Sequence, residues 1–493
     1  MESLDFTPTR REWVVLGLMA TILVYQLLMQ PIVGLANNGD FEKIMGEVGL
    51  KYAVTLADSD RYFGYINTKF LVVPRNWWKS GLITSERLLV EIALLVNGFV
   101  SKGDIFDIRI LGAVHTGAFL VGIWLILVGS RRLGKPSRYV LAFLLLFVLT
   151  DVGYVSYFNS IYCEPASLVF LCLTVGAMLL CVSRRQPDVW LLILYFVAAM
   201  LFAAAKTQNS VLGFPLAVYG VRLSRGLDKR RWKGAVYGLA LGFCLLCVVL
   251  FLGWRPYTRE ANLYNVVFYE ILRNSPSPQE DLRELGLSEE FAKYAGTYAY
   301  MKQAPMADLD FRASFFGSIG YGKILRFYAN HPSRLISLAD RAMRTCFSLR
   351  PDLGNFAKST GFPRSSKSQA FDQWSGLRVR YFPGALWFLL GFLGFNAGGI
   401  LIAIERRRFL GAAGSKAIPE FMAVLVIMVA VQFFAVIIAE GDLDLVRHMF
   451  LFNVLFDWVL MLDLVFAAEA LYTASRRCLR IGGIIRRSQT TAR

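Results

Sequence analysis

An all-α polytopic membrane protein is the fold class this sequence predicts, and three observations predict it. The 493 residues are 56% hydrophobic with a mean hydropathy of +0.48, more apolar side chain than one soluble core takes up. These residues gather into runs of about 17–25, the length that crosses a bilayer. The 53 Lys and Arg against 36 Asp and Glu, a net charge of +17, sit in short clusters between runs, as the positive-inside rule requires of cytoplasmic loops. That placement speaks against nucleic acid as a partner. The seven cysteines fall mostly inside apolar runs without metal-ligand spacing, and read as small buried hydrophobes rather than disulfides.

The first run, 13–35, follows Arg10-Arg11 and is too long for a cleavable signal. Residues 36–103 are mixed and include Trp77-Trp78. Within them, 82–99 carries Glu86, Arg87 and Glu91 and predicts an interfacial amphipathic helix rather than a span. Further spans are expected at 106–130, 137–155, 161–183, 188–205, 209–223 and 234–253. Arg131-Arg132, Arg184-Arg185 and Arg225, Arg230 and Arg231 follow the second, fourth and sixth spans. Residues 254–383 are polar and helix-friendly. There Ser277-Pro-Gln-Glu280 reads as a capping box with Pro at the first helical position, and His331-Pro332 opens another helix. Spans resume at 384–404, 418–439 and 448–470, with Arg406–Arg408 and then Arg476 and Arg477 behind them.

About ten spans put both termini in the cytoplasm and collect 36–103, 151–163, 205–209, 254–383 and 440–447 on the outer face of the plasma (inner) membrane. The chain then divides into an N-terminal transmembrane module, 1–253, a mainly helical outer domain, 254–383, and C-terminal helices with a basic tail, 384–493. The second half of the outer domain, 321–383, holds 11 Lys and Arg against 3 Asp and Glu. Such a surface attracts anionic lipid or a pyrophosphate-bearing substrate, or is simply solvated.

The outer-face polar residues form a one-sided set. Asn38, Asp40 and Glu42 come from the turn after the first run. Asp151, Tyr157, Asn159, Tyr162 and Glu164 come from the turn before the fourth span, and Lys206, Gln208 and Asn209 from the junction of spans five and six. Glu440, Asp442, Asp444, Arg447 and His448 precede the last. Ionisable groups at membrane depth are costly and mark a function or an ion pair. Asp40 is the candidate catalytic base. Lys206 would neutralise a phosphate, or pair with Glu164 or Asp151. Arg447-His448 would clamp the same anion, or Arg447 would pair with Asp444. Glu164 would act as a second carboxylate, or only favour its helix dipole. Asn453 and Asp457 read as interhelical hydrogen-bond partners. Neither a Walker motif nor a G-x-G-x-x-G is present, so an activated donor must already be carried in lipid.

Four phrases resemble the membrane-embedded GT-C glycosyltransferases of bacterial glycan biosynthesis: Ala36-Asn-Asn-Gly-Asp-Phe41, Tyr157-Phe-Asn-Ser-Ile-Tyr-Cys-Glu-Pro165, Lys206-Thr-Gln208 and Arg447-His448. The resemblance implies a hexose transferase that moves a sugar from polyprenyl phosphate to a glycan, lipid or protein acceptor, with membrane lipid as its surroundings. It maps the catalytic Asp onto Asp40, with Glu164 beside it. Asn38, Glu42, Asp151, Tyr162 and Gln208 would bind substrate, and Lys206, Arg447 and His448 the donor phosphate. No cofactor is expected, with a divalent Mg or Mn as the alternative. Rival readings are a transporter or flippase of a lipid-linked glycan, which would need paired repeats, and a polysaccharide polymerase or ligase. The glycosyltransferase reading requires Asp40, Glu164, Lys206 and Arg447 to line one outer-facing cavity open sideways to lipid.

Overall fold

The computed structural model describes residues 6–52, 56–74, 83–101, 103–184, 188–227, 230–253, 256–405 and 417–490. Outside them lie Trp77-Trp78, Arg185 and Arg406–Arg408, together with the side chains of Arg230, Arg231 and the tail from 476. The bundle helices are α1 (Arg10–Leu27), α2 (Ser85–Val100), α3 (Ile108–Gly129), α4 (Lys135–Leu149), α5 (Glu164–Val182), α6 (Val189–Ala203), α7 (Ser210–Leu223), α8 (Arg230–Leu252), α9 (Leu386–Glu405), α10 (Ala417–Glu440) and α11 (Phe450–Thr490).

The all-α class holds, but the span count is lower than ten. Among the described residues, six helices (α3, α5, α8, α9, α10 and α11) contain segments long and apolar enough to cross a membrane. A seventh span results if Lys135–Leu149 and Val152–Asn159, bent by 56°, count as one. The run at 13–35 stops short because α1 ends at Leu27, ahead of Pro31, and opens with Arg10, Arg11 and Glu12. The runs at 188–205 and 209–223 yield helices of only 15 and 14 residues, because the chain turns between them at 204–209.

Contacts between helix ends align the bundle. Arg131, just after α3, donates to Glu12 of α1 at 2.5 Å, and Arg222 of α7 meets Glu420 of α10 at 3.0 Å. At the opposite end the Asn159 amide donates to the Leu27 and Val33 carbonyls at 2.9 and 2.8 Å, and Gln208 donates to Glu440 at 2.6 Å. Helices α3 and α5 pack closely through glycines. A Cβ at Gly122 would meet Cys172 at 2.9 Å, and one at Gly176 would meet Leu125 at 2.6 Å.

The first loop departs from expectation. It folds into a three-stranded antiparallel sheet, β1 (Leu50–Tyr52), β2 (Lys69–Val72) and β3 (Ile105–Asp107), with Leu50 opposite Val72 and Phe70 opposite Phe106. Strands of three or four residues are too short to leave an alternating pattern. α2 is 16 residues long and is not among the candidate spans, and of its three charges Arg87 and Glu91 stay partly exposed while Glu86 is absorbed into the interior. Glu86 is fully buried, 2.9 Å from His115 Nε2, whose Nδ1 faces the Phe158 carbonyl at 2.8 Å. The other face of α2 leaves Leu95, Phe99 and Val100 exposed.

Residues 256–381 are mainly helical, around an aromatic core of Tyr264, Phe268, Phe291, Phe311 and Phe315. The helix Pro278–Leu285 forms, but without the capping box: the Ser277 side chain makes no cap hydrogen bond. His331 does precede the helix Pro332–Cys346. Two attachments tie this region to the bundle. Gly354 and Asn355 accept backbone hydrogen bonds from Ala36 and Gly34 at 2.9 and 3.1 Å, bracing the irregular segment that leads into Asn37. Arg378 is wholly buried and forks onto Asp457 and Asn453 of α11. Asp457 also accepts from Tyr154 (2.5 Å) and Trp374 (2.7 Å). The expected interhelical role of Asn453 and Asp457 is thus real, but its hub is an arginine from outside the bundle.

A third junction pairs two carboxylates with two arginines. Glu270 pairs with Arg341, and Asp442 pairs with Arg273 at 2.6 Å. Burial, with Asp442 nearby, pushes the Glu270 carboxyl up to about 7 against the pull of Arg341. A raised folded pKa makes its stabilising contribution below the unfolded value of about 4.5 and loses it as pH rises through about 7. Thermal unfolding from pH 5 to 8 should therefore show falling stability, and Glu270→Gln should flatten that slope. An unchanged slope in the variant would assign the pH dependence elsewhere.

Candidate functional site

Asn37 builds the turn that presents Asp40. Its buried side chain accepts from the amides of Gly39 (2.8 Å) and Phe41 (3.1 Å) and donates to the Tyr52 hydroxyl (2.6 Å) and to Glu42 (3.0 Å). Gly39 sits at φ 109°, a conformation that a side chain would strain. Tyr162 supports the same turn from below, donating to the Ala36 carbonyl at 2.9 Å and accepting from the Asn38 amide at 2.9 Å.

Asp40 then reaches two cations, Lys43 at 2.6 Å and Arg447 at 2.7 Å. Arg447 is the hub of the cluster. It also holds Asp444 at 2.9 Å, lies 3.7 Å from Glu164 and sits 5.2 Å over the Tyr162 ring. Lys206 closes the ring on Glu164 at 3.0 Å. Asp444 adopts φ 49°, rare for a residue with a side chain, and accepts from Asn38 at 3.0 Å. Behind Arg447, His448 Nδ1 lies 2.6 Å from Glu440, out of line for a hydrogen bond, while Gln208 donates to Glu440.

Four segments far apart in sequence therefore meet at one end of the bundle. Their arrangement differs from the expectation. The side chains of Arg447 and Glu164 are only 5% and 4% exposed, so the four residues form a closed salt-bridge network rather than the walls of an open cavity. Asp40, Lys43, Lys206 and Asp444 are the members that reach solvent, at 26%, 37%, 21% and 37%. The bland pairings, Lys206 with Glu164 and Arg447 with Asp444, are both made, but as parts of one network with Asp40.

The electrostatics follow. Burial opposes ionisation of Asp40, but Arg447 and Lys43 outweigh it and hold the carboxyl far below the usual range. Burial likewise opposes the charge on Lys206, and Glu164 more than restores it. Burial opposes the Arg447 charge as well; Asp40, Asp444 and Glu164 raise its affinity for its proton.

Two expected site residues lie elsewhere. Asp151 caps a short helix, accepting from the amides of Gly153 (2.7 Å) and Ser375 (2.9 Å), and its bonding is all to that local turn and to the 256–381 region. Glu42 faces Asn37 and Tyr62 within the first loop, where it positions Asn37 rather than pointing into the cluster. Asn209 bonds to Ser167 and to the Phe202 carbonyl, bracing the turn below Lys206. Lys43 was not foreseen. Its signal was available, an i,i+3 partner of Asp40 at the start of the helix Glu42–Val48. Among the described residues no three His, Cys, Asp or Glu side chains are grouped to hold a metal ion.

A family model described as the YfdI N-terminal transmembrane domain matches residues 5–482. No curated protein and no solved structure matches the chain.

Proposed function

The chain belongs to the YfdI N-terminal transmembrane domain family, and from that premise we propose that this multi-pass membrane protein is a glycosyltransferase of the GT-C kind. It would move a sugar from a polyprenyl-phosphate donor to a glycan, lipid or protein acceptor on the outer face of the plasma membrane. The observation that carries this reading is the convergence of Asp40, Glu164, Lys206 and Arg447 in one ion network at the end of an apolar bundle. Structural ion pairs of spanning helices need two partners. Here three cations, Arg447, Lys206 and Lys43, balance three carboxylates, Asp40, Glu164 and Asp444, in one shared network, and the partly exposed Lys43 and Lys206 are placed to turn toward an arriving phosphate.

In the proposed reaction an acceptor hydroxyl attacks the anomeric carbon and gives its proton to Asp40. The carbon–oxygen bond to the phosphate breaks, and its electron pair leaves with the polyprenyl phosphate. Lys206 and Arg447 offset the charge that grows there. The network also regulates the base. With Lys43 and Arg447 on it, Asp40 is a weak proton acceptor at neutral pH. A donor phosphate that draws Arg447 away raises the basicity of Asp40 as the substrate arrives. Glu164 keeps Lys206 and Arg447 together meanwhile, and His448 and Gln208 hold Glu440 behind them.

The decisive experiment incubates the purified protein with labelled polyprenyl-phosphate sugars and candidate acceptors. Transfer that requires Asp40 supports the reading; movement of lipid-linked glycan across vesicles without transfer would replace it. Lys206→Ala should weaken donor binding by roughly ten- to a hundredfold, the worth of a charged hydrogen bond. Donor affinity unchanged in that variant would remove Lys206 from the phosphate.

A further inference from the structure

A cavity of about 460 Å³ lies at the opposite end of the bundle, between the first turns of α1 and α4 and the end of α3. Four cations, Arg10, Arg11, Lys135 and Arg138, and one carboxylate, Glu12, line it, and Leu127 and Ala142 are part of its apolar wall. The nearby carboxylates are already engaged: Glu12 with Arg131 at 2.5 Å and Arg138 at 3.6 Å, Glu469 with the Ser137 hydroxyl at 2.5 Å. Arg11 lies over the Tyr139 ring at 5.3 Å. Arg10 and Lys135 are exposed and have no carboxylate partner among the described residues.

We propose that this cavity binds one anionic phospholipid, its phosphodiester held by Arg10, Arg11 and Lys135 and an acyl chain lying against Leu127 and Ala142. Charge complementarity selects the head group, since the cations outnumber the carboxylates and two are uncommitted. The apolar wall selects a lipid over a soluble anion, because burying a hydrocarbon chain there removes apolar surface from water. A ring of Tyr and Trp at helix ends marks head-group depth, and Tyr139 and Trp13 stand at this one. The site is separate from the Asp40 network and does not depend on what that network does.

The test uses the full chain in detergent with equal amounts of phosphatidylglycerol and phosphatidylcholine, and reads retained lipid by native mass spectrometry. The wild type should retain phosphatidylglycerol preferentially. The R10Q/K135Q pair should lose roughly twenty-fivefold of that preference, about fivefold for each cation. Ala142→Trp, which fills the cavity and keeps every charge, should lose it too, so the question stays answerable if the charge variant fails to fold. Arg225→Gln, a cation lost outside the cavity, should retain it. Equal retention of the two lipids by the wild type, or an undiminished preference in R10Q/K135Q and Ala142→Trp, would overturn the proposal. Displacement of phosphatidylglycerol by inorganic phosphate alone would also overturn it, identifying a free-anion site.

Discussion

Asp40→Asn is expected to cut sugar transfer by roughly 10²–10⁴-fold, the usual contribution of a positioned general base, while donor binding stays as tight as in the wild type or tighter. The second half of this expectation comes from the network. Asparagine keeps the shape of the side chain but no longer neutralises Lys43 and Arg447, so both become freer to meet an anionic donor. The measurement pairs a transfer assay with donor-lipid binding on the same preparation. Near-normal transfer would remove Asp40 as the base. Loss of donor binding together with transfer would instead assign Asp40 the structural task of holding Arg447 in place.

Breaking the Arg378–Asp457 pair should produce the largest loss of stability. Both side chains are completely buried, and Asp457 satisfies Tyr154 and Trp374 as well. Asp457→Ala leaves an uncompensated guanidinium in a dry interior, at a cost of about 3–5 kcal/mol. The replacement of both residues by apolar ones of similar volume, Arg378→Met with Asp457→Leu, should be milder than either single change, because no charge is then stranded. Thermal unfolding of the single and double variants in detergent checks this. A double variant as unstable as the sum of the two singles would show that the pair is not coupled.

The candidate site was legible to the extent that its members stand at helix exits. Asp40, Glu164, Lys206 and Arg447 each sit where an apolar run begins or ends, and the alternation of runs placed those ends on one side. What this reasoning could not supply is which way each side chain turns. Asp151 stands at such an exit too, but its carboxylate folds back onto the amides of Gly153 and Ser375. Apart from its i,i+3 spacing from Asp40, nothing in the sequence separates Lys43 from other lysines, and it is the turn at Gly39 that brings Asp40 over it. Arg378 was one of eleven cations in a basic stretch, and only packing against Phe347 and α11 distinguishes it. The apolar runs were read correctly as helices, but not their lengths, since a run carries no mark of where the chain will turn within it.

The sequence by itself determined the membrane class, the helices and the turns that carry charge. These follow from apolar length and from the cost of leaving ionisable groups in hydrocarbon, both of which are local properties. The tertiary structure alone decided that the four charged turns close into one network, with Arg447 at its centre and buried. It also decided that the region between α8 and α9 locks onto α11 through Arg378. The reason is physical: a charge can be buried only beside its partner, and partners up to four hundred residues apart are chosen by how the bundle packs, not by any spacing along the chain.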